Sequence, residues 1–203
     1  MITYLFLAIF ICLMGYMVYF QTVKSEDFIN SPYNSRQDTF ADRVVRGKIM
    51  SADGKVLAET VVDAAGNETR KYPYGNMYAH VVGFSTNGKS GIESNMNFNL
   101  LRSHSFVLER MFNEIKDEKS MGDNVVTTLD STLQETAYQA LGNYDGAVVV
   151  MEPSTGKVLA MVSKPDFDPN TIAADWDSII SEDNNNSVLL NRATQGLYPP
   201  GST

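Results

Sequence analysis

The fold of this chain is decided by residues 146–162, which read GAVVVMEPSTGKVLAMV. Two nearly continuous apolar runs, residues 146–151 and 157–162, flank the turn-forming sequence Pro-Ser-Thr-Gly at 153–156. Uninterrupted aliphatic runs are typical of strands that are covered on both faces, and Pro and Gly at these positions favour a turn. We therefore predict two central strands of a sheet with helices packed against it.

The residues before these strands predict a further strand and a helix. Residues 124–129 form a Val/Thr-rich strand, and Asp130 or Ser131 can cap the helix that follows. Gly142 ends this helix, because glycine is favoured just after the last helical turn. The predicted apolar face of the helix consists of Leu133, Ala137, Ala140 and Leu141.

A smaller, strand-rich module is predicted farther upstream. The dipeptide Asp53-Gly54 between apolar segments indicates a β-hairpin turn, and a second turn at residues 64–67 separates two further strands. An apolar stripe predicts a helix near residues 105–117. Residues 181–187, with three consecutive asparagines, are predicted to form a surface loop.

The N-terminus is apolar over the length of a membrane-spanning helix. No residue from 2 to 20 is charged, and about 20 apolar residues suffice to cross a bilayer. A cleaved signal peptide is the competing interpretation, but the run exceeds the usual ~7–15 residues and residues 21–25 offer no small-x-small cleavage site. We predict a retained signal anchor at 2–20 and a polar stalk at 21–44. Lys24 follows the anchor and no Lys or Arg precedes it, so charge determines the orientation only weakly.

Composition argues against several classes of function. The 203 residues are 43% hydrophobic and 20% charged, which is ordinary for a globular protein. A net charge of −8 without a Lys/Arg cluster argues against nucleic acid binding. Cys12 is the single cysteine, so neither an intrachain disulfide nor a cysteine-rich metal site is predicted. His80 and His104 lack neighbours at metal-ligand spacing and are interpreted as structural, so no metal or cofactor is predicted.

The last seven residues, LYPPGST at 197–203, look like half of an acyl-transfer site. In an S-x-x-K motif, a serine on the first turn of a helix is the nucleophile and a lysine one turn later takes its proton. Ser202 fits the nucleophile, whereas the lysine would fall at position 205, past the last residue. Local chemistry alone favours a flexible tail or a helix N-cap, and the upstream residues reverse that preference.

Five separated blocks follow one another along the chain. They are Arg46-Gly47-Lys48-Ile49 with Asp53-Gly54-Lys55-Val56-Leu57-Ala58; Tyr72-Pro73-Tyr74-Gly75 with Ala79-His80-Val81-Val82-Gly83 and Gly91-Ile92-Glu93; residues 152–163; Phe167-Asp168-Pro169-Asn170; and Asn191-Arg192-Ala193 with residues 198–203. In this order they resemble the class B penicillin-binding proteins, which are membrane-anchored peptidoglycan D,D-transpeptidases. Two departures are mild: residues 127–130 read Thr-Thr-Leu-Asp where the family usually has Leu-Thr-Ile-Asp, and Glu152 replaces a more frequent aspartate.

The resemblance implies an α+β fold with three main parts, in addition to the stalk. These are the single transmembrane helix, a pedestal (dimerisation-like) domain at 45–122, and an incomplete start of the transpeptidase α/β sandwich at 123–203. It also implies that Ser202 is the catalytic nucleophile. The S-x-x-K lysine and the S-x-N and K-T-G motifs would lie after position 203, so the chain itself is expected to be inactive.

Other polar residues receive simpler interpretations. Asp168 and Asn170 flank Pro169 as turn residues do, and their Asx-turn chemistry needs no catalytic role. Glu93 is assigned to the internal structure of the pedestal.

The resemblance further implies a setting and ligands. Residues after the anchor would face the outside of the cytoplasmic membrane, where the parent protein would bind stem peptides, β-lactams and membrane proteins of cell-wall synthesis. One alternative is a non-catalytic, membrane-anchored scaffold for such proteins. Another is a β-lactam sensor, which also uses S-x-x-K, although the pedestal blocks argue against it. A class A bifunctional enzyme is disfavoured, because the roughly hundred residues between anchor and transpeptidase leave no room for a glycosyltransferase domain.

Overall fold

The computed structural model describes residues 2–25, 28, 44–102, 119–181 and 187–198, and the fold is α+β, as predicted. The helices are α1 (Ile2–Tyr19), α2 (Ala79–Val82), α3 (Gly91–Asn95), α4 (Asn97–Leu101), α5 (Ser131–Leu141), α6 (Ile172–Ile180) and α7 (Arg192–Gln195). The strands are β1 (Val44–Val45), β2 (Ile49–Met50), β3 (Val56–Val62), β4 (Glu68–Lys71), β5 (Ser120–Met121), β6 (Val125–Val126), β7 (Gly146–Met151) and β8 (Val158–Lys164). A π-helical turn, Phe20–Lys24, continues α1.

Several predicted features lie outside the described residues. They are most of the stalk, the helix near residues 105–117, His104, the asparagine-rich residues 182–186 and the nucleophile Ser202.

Helix α1 has the properties of a membrane-spanning helix. The segment Ile2–Lys24 has a mean hydropathy of 2.1, and no side chain of α1 is buried against the rest of the described chain. An exposed apolar surface of this kind is unfavourable in water, whereas hydrocarbon accommodates it and the helix satisfies its own backbone hydrogen bonds. The helix is thus long and apolar enough to be the predicted anchor.

The pedestal is built on a four-stranded sheet with the order β4-β3-β2-β6. Strands β2 and β3 are antiparallel around Asp53-Gly54, and β3 and β4 are antiparallel around the second turn, both as predicted. Gly54 has a φ of 83°, a left-handed conformation that favours glycine in tight turns. The core under this sheet is apolar and consists of Ile49, Leu57, Ala58, Tyr72, Tyr78, Val82, Leu100 and Leu129.

The strand predicted at residues 124–129 is shorter than expected and belongs to the pedestal sheet. Only Val125–Val126 is a strand there, and it pairs in parallel with β2. Leu129 is buried in the pedestal core. Residues that were expected to open the transpeptidase part therefore pack on the pedestal, and the boundary between 122 and 123 stays a prediction.

Helix α5 begins and ends where the sequence predicts. The Asp130 carboxylate accepts hydrogen bonds from the backbone N–H groups of Thr132 and Leu133, each at 2.9 Å. These bonds satisfy two of the N–H groups that a helix leaves unpaired at its first turn. Gly142, with a φ of 54°, follows the last helical residue.

The predicted apolar face of α5 is only partly correct. Ala137 and Leu141 pack toward the β7–β8 hairpin, but Leu133 and Ala140 are exposed. The buried face instead carries Gln134, which is fully buried. The helix is rotated relative to the prediction because Gln134 makes the hydrogen bonds to the strand that an apolar side chain could not make.

Strands β7 and β8 form the predicted antiparallel hairpin. Val148 and Val162 lie opposite each other and face α5, whereas Val149 and Met161 share the other face. On that second face Val149 is 42% exposed and Met151 is 52% exposed. The expectation that both faces are covered is therefore wrong for the described residues, because α7 covers only part of the second face.

Candidate functional site

The segment leading to the predicted nucleophile lies on the face of the hairpin opposite α5. Helix α7 packs against both β7 and β8. The hydroxyl of Ser163, a buried residue of β8, accepts a hydrogen bond from the backbone N–H of Arg192 at 2.9 Å and lies 3.4 Å from the carbonyl oxygen of Leu190. Ser163 thus fixes the segment to the strand at its first helical residue.

Asn191 is the second anchor of this segment. Its side-chain oxygen accepts a hydrogen bond from the N–H of Ala193 at 3.0 Å and caps α7. Its amide nitrogen donates to the backbone oxygen of His80 at 3.3 Å, so the same side chain reaches the pedestal helix α2. The block Asn191-Arg192-Ala193 therefore connects the pedestal and strand β8 to the segment that leads to the predicted nucleophile.

Ser202 lies outside the described residues, so the structure does not place its hydroxyl relative to any other group. The description of this segment ends at Tyr198, four residues before Ser202. What the structure does bring together is the support for that segment: Ser163, Asn191 and His80.

Gln134 is the buried residue of this region that the sequence analysis missed. Its side chain accepts from the N–H of Met161 at 2.8 Å and donates to the carbonyl oxygens of Met161 and Met77, also at 2.8 Å. The Gln134 amide thus forms the pair of hydrogen bonds to β8 that a neighbouring strand would form. Its bond to Met77 also joins the strand to the pedestal. A glutamine in a polar helix pattern gives no sequence signal for this role.

Asn170 is a second amide side chain that hydrogen-bonds to the backbone of the pedestal. Its N–H donates to the Asp168 carboxylate at 2.8 Å, so the predicted turn is confirmed. Its side chain also accepts from the N–H of Tyr72 at 2.9 Å and donates to the Tyr72 carbonyl at 3.0 Å. Two amide side chains, Gln134 and Asn170, thus connect the pedestal to the residues on either side of the β8 hairpin.

His80 is a structural residue, as predicted. Its Nε2 lies 3.0 Å from the carbonyl oxygen of Pro165, and its ring packs edge-on against Phe167. Burial lowers the pKa of His80, and the contact with the Pro165 carbonyl opposes that shift. Across the described ranges, no group of three or more His, Cys, Asp or Glu residues is arranged to hold a metal ion.

Glu93 is part of the internal structure of the pedestal, as predicted. Its fully buried carboxylate accepts from Nε of Arg46 at 2.6 Å and from Nε of Arg70 at 2.8 Å. Burial lowers the pKa of Arg46, and the Glu93 charge opposes this effect. The Arg46-Gly47 and Gly91-Ile92-Glu93 blocks, which are distant in sequence, therefore meet in one ion cluster.

Only glycine fits at position 47, next to Arg46. A Cβ at this position would lie 1.9 Å from the backbone oxygen of Asp123. The chain segments that carry β2 and β6 approach each other too closely here for any side chain.

A cavity of about 510 Å³ lies between the pedestal helices and the segment that leads to the predicted nucleophile. Its walls include His80, Ser90 and Asn95 on the pedestal side and Met161 and Asn191 on the other. A group that enters it would contact both parts of the chain.

Comparisons with known proteins agree with this architecture. Residues 46–125 match the sequence model of the penicillin binding protein A dimerisation domain, and residues 146–203 match that of the penicillin binding protein transpeptidase domain. The peptidoglycan D,D-transpeptidase PbpA of Mycolicibacterium smegmatis is 39% identical over 181 residues, which cover 78% of this chain and 35% of the relative.

Two solved structures resemble the fold. One is the D,D-transpeptidase domain of a peptidoglycan glycosyltransferase from Eggerthella lenta, with a TM-score of 0.66, 37% identity, and coverage of 79% of this chain and 35% of that chain. The other is penicillin-binding protein A from Mycobacterium tuberculosis as an imipenem acyl-enzyme complex, with a TM-score of 0.67, 35% identity, and coverage of 77% and 39%. The chain thus spans little more than a third of the length of these proteins.

Proposed function

This chain belongs to the class B penicillin-binding proteins, and from that premise we propose that it is the N-terminal part of a peptidoglycan D,D-transpeptidase. The observation that supports this most is the set of contacts between the pedestal, strand β8 and the segment before Ser202. Ser163 and Asn191 hold the segment that precedes Ser202 against β8 and the pedestal, within the residues that match the transpeptidase family.

In the proposed reaction, the Ser202 hydroxyl attacks the carbonyl carbon of a stem-peptide D,D bond. The new ester bond forms as the C–N bond breaks, a base passes the serine proton to the departing nitrogen, and the terminal residue leaves as an amine. An amine of a second stem peptide then attacks the ester, which forms the cross-link and frees the serine. A serine needs a neighbouring base and an oxyanion hole for this chemistry, and we assign both to residues after position 203.

The coding sequence downstream of residue 203 gives the simplest test. The proposal expects an open frame that continues with a lysine at position 205 and later supplies S-x-N and K-T-G motifs. The extended protein should release the terminal D-alanine from a stem-peptide substrate, and Ser202→Ala should abolish the release. A downstream frame without these motifs would refute the enzymatic proposal.

The scaffold role is the second candidate function. The apolar core of the pedestal is continuous within the described residues, so this part of the chain has the packing of a folded unit that partners can dock on. Membrane proteins of cell-wall synthesis are the proposed partners. Their co-purification with an inactive Ser202→Ala variant would support this role beside catalysis.

We also propose that α1 is a retained anchor and that residues after it lie outside the cytoplasmic membrane. Support comes from the length and apolarity of Ile2–Lys24 and from the proposed substrate, which is found in the cell wall. A protease added to intact spheroplasts should digest the part of the chain that follows the anchor. Resistance to the protease, with digestion only after lysis, would reverse the topology.

A further inference from the structure

The hydroxyl of Ser163 makes two hydrogen bonds to the segment that leads to the predicted nucleophile. It accepts from the backbone N–H of Arg192 at 2.9 Å and donates to the backbone oxygen of Leu190 at 3.4 Å. Ser163 is only 3% exposed, and hydrogen bonds are stronger where water is excluded. One side chain of β8 therefore holds two backbone groups of the segment, on either side of Asn191.

The segment stays folded beyond this attachment. The backbone oxygen of Asn191 accepts from the N–H of Gln195 at 2.8 Å, which closes the turn of α7. A Cβ at Gly196 would lie 2.5 Å from the Arg192 carbonyl oxygen and 2.5 Å from Cε2 of Tyr198. The Tyr198 ring thus closes on the backbone at Gly196, and only glycine leaves room for it.

The sequence between this folded segment and Ser202 is short. Ser202 is the fourth residue after Tyr198, and Pro199 and Pro200 stand between them, with rings that restrict the backbone. A change in how the segment lies on β8 should therefore also move Ser202. The reaction is sensitive to such a change, because misplacing a reacting group by about 1 Å can lower a rate by about 10²-fold.

We propose that Ser163 is a positioning residue for the acylation of Ser202. Its two hydrogen bonds fix where the segment lies on β8, and with it the direction from which Ser202 is presented to a substrate carbonyl. The inference rests on the proposed function, because it takes Ser202 as the nucleophile. Ser163 acts through the backbone of Leu190 and Arg192, so its removal should slow the chemical step and leave the initial binding of substrate nearly unchanged.

The test measures acylation by a fluorescent penicillin in a chain extended through its downstream coding sequence and purified in detergent. Rates over a range of penicillin concentrations separate the affinity of the non-covalent complex from the maximal rate of acylation. We expect Ser163→Ala to lower the maximal rate about ten- to a hundredfold with little change in affinity. Ser163→Thr keeps a hydroxyl, and strands favour β-branched residues, so this variant should restore most of the rate.

Ser51→Ala is the matched control. The Ser51 hydroxyl is also buried, and it makes the same kind of contact with one backbone residue: it accepts from the N–H of Lys55 at 3.0 Å and donates to the Lys55 carbonyl oxygen at 3.3 Å. These bonds lie in the β2–β3 turn of the pedestal. Ser51→Ala should therefore lower the Tm about as much as Ser163→Ala does, but it should leave the acylation rate unchanged.

Gly196→Ala tests the same segment without a change in β8. The added methyl group displaces the Arg192 carbonyl or the Tyr198 ring, so this variant should also slow acylation. In the 203-residue chain, hydrogen exchange followed by mass spectrometry should show faster exchange at residues 192–195 in Ser163→Ala, because the Arg192 amide loses its acceptor. The amides of β7 should exchange as they do in the unmodified chain.

Ser202→Ala separates this inference from the proposed function. Labelling that survives Ser202→Ala in the otherwise unmodified extended chain would refute the proposed function and the inference with it. Labelling that depends on Ser202 but reaches the same maximal rate in Ser163→Ala as in the unmodified chain would overturn the positioning role alone. An equal loss of rate in Ser163→Ala and Ser51→Ala would also overturn it, because general destabilisation would then explain both.

Discussion

At the scale of single residues, Glu93 is a buried acid that holds two arginines of the pedestal together. Two buried guanidinium groups share its carboxylate, and Arg46 also donates to the Glu93 backbone oxygen at 2.6 Å. Removing one member of a buried ion group leaves charges without compensation, which typically costs more than the group contributes when intact. The arrangement brings the Arg46-Gly47 and Gly91-Ile92-Glu93 blocks together at one buried carboxylate.

Glu93→Gln should therefore destabilise the chain by about 3–5 kcal/mol. Glu59→Gln is the matched control, since Glu59 forms a partly exposed pair with Lys48 at 2.9 Å and should cost less than about 1 kcal/mol. Urea unfolding followed by circular dichroism measures both. Equal losses for the two variants would contradict the role assigned to the buried cluster.

His80 should make stability depend on pH. Because burial holds its folded pKa below the unfolded value of 6.5, its contribution to stability is complete above pH 6.5 and is lost as the pH falls from there through the folded pKa. His80→Gln should flatten this part of the curve. Tm values between pH 7.5 and 5 for both proteins measure the difference. Parallel curves would show that His80 titrates normally in the folded state.

At the scale of elements, the hairpin β7–β8 has two unlike faces. Val162 is buried against α5, whereas Val149 is 42% exposed on the opposite face. A sheet of two strands leaves part of its surface uncovered, and in a longer chain that surface is available for further packing.

Val162→Ala should cost about 2–3 kcal/mol in this chain, because it opens a cavity against α5. Val149→Ala should cost less than about 0.5 kcal/mol here, since exposed side chains contribute little. In a chain extended to the length of the relatives, the cost of Val149→Ala should rise above 1 kcal/mol as that face becomes covered. An unchanged cost in the extended chain would mean that the face stays exposed.

Some features of these elements could be predicted from the sequence, and others could not. Local signals predict the Asp53-Gly54 turn, the Asp130 cap and the hairpin, because each depends on residues that are neighbours in sequence. The pairing of β6 with β2 and the burial of Gln134 depend on contacts between distant segments. Single-sequence patterns carry no information on such contacts, so these features could not be predicted.

At the scale of the whole molecule, the described chain joins an apolar N-terminal helix, a pedestal and a hairpin that lies within the match to the transpeptidase domain. Three amide side chains connect the pedestal to later parts of the chain: Gln134 reaches the hairpin, Asn170 lies in the turn after it, and Asn191 belongs to the segment that precedes Ser202. The family resemblance predicted the order of these parts and the identity of the candidate nucleophile. The structure adds the residues that hold the parts together, while the role of Ser202 remains a prediction.

Acylation of Ser202 by penicillin tests this account most directly. The 203-residue chain and a chain extended through its downstream coding sequence are each incubated with a fluorescent penicillin, and the labelled peptide is identified by mass spectrometry. A single oxyanion-hole donor is worth about 10²–10³ in rate. We assign the base and the oxyanion hole to residues after position 203, so the short chain should not be labelled. The extended chain should carry one label on Ser202, and Ser202→Ala should remove it. Saturable labelling of the short chain, or labelling of the extended chain that survives Ser202→Ala, would contradict the account.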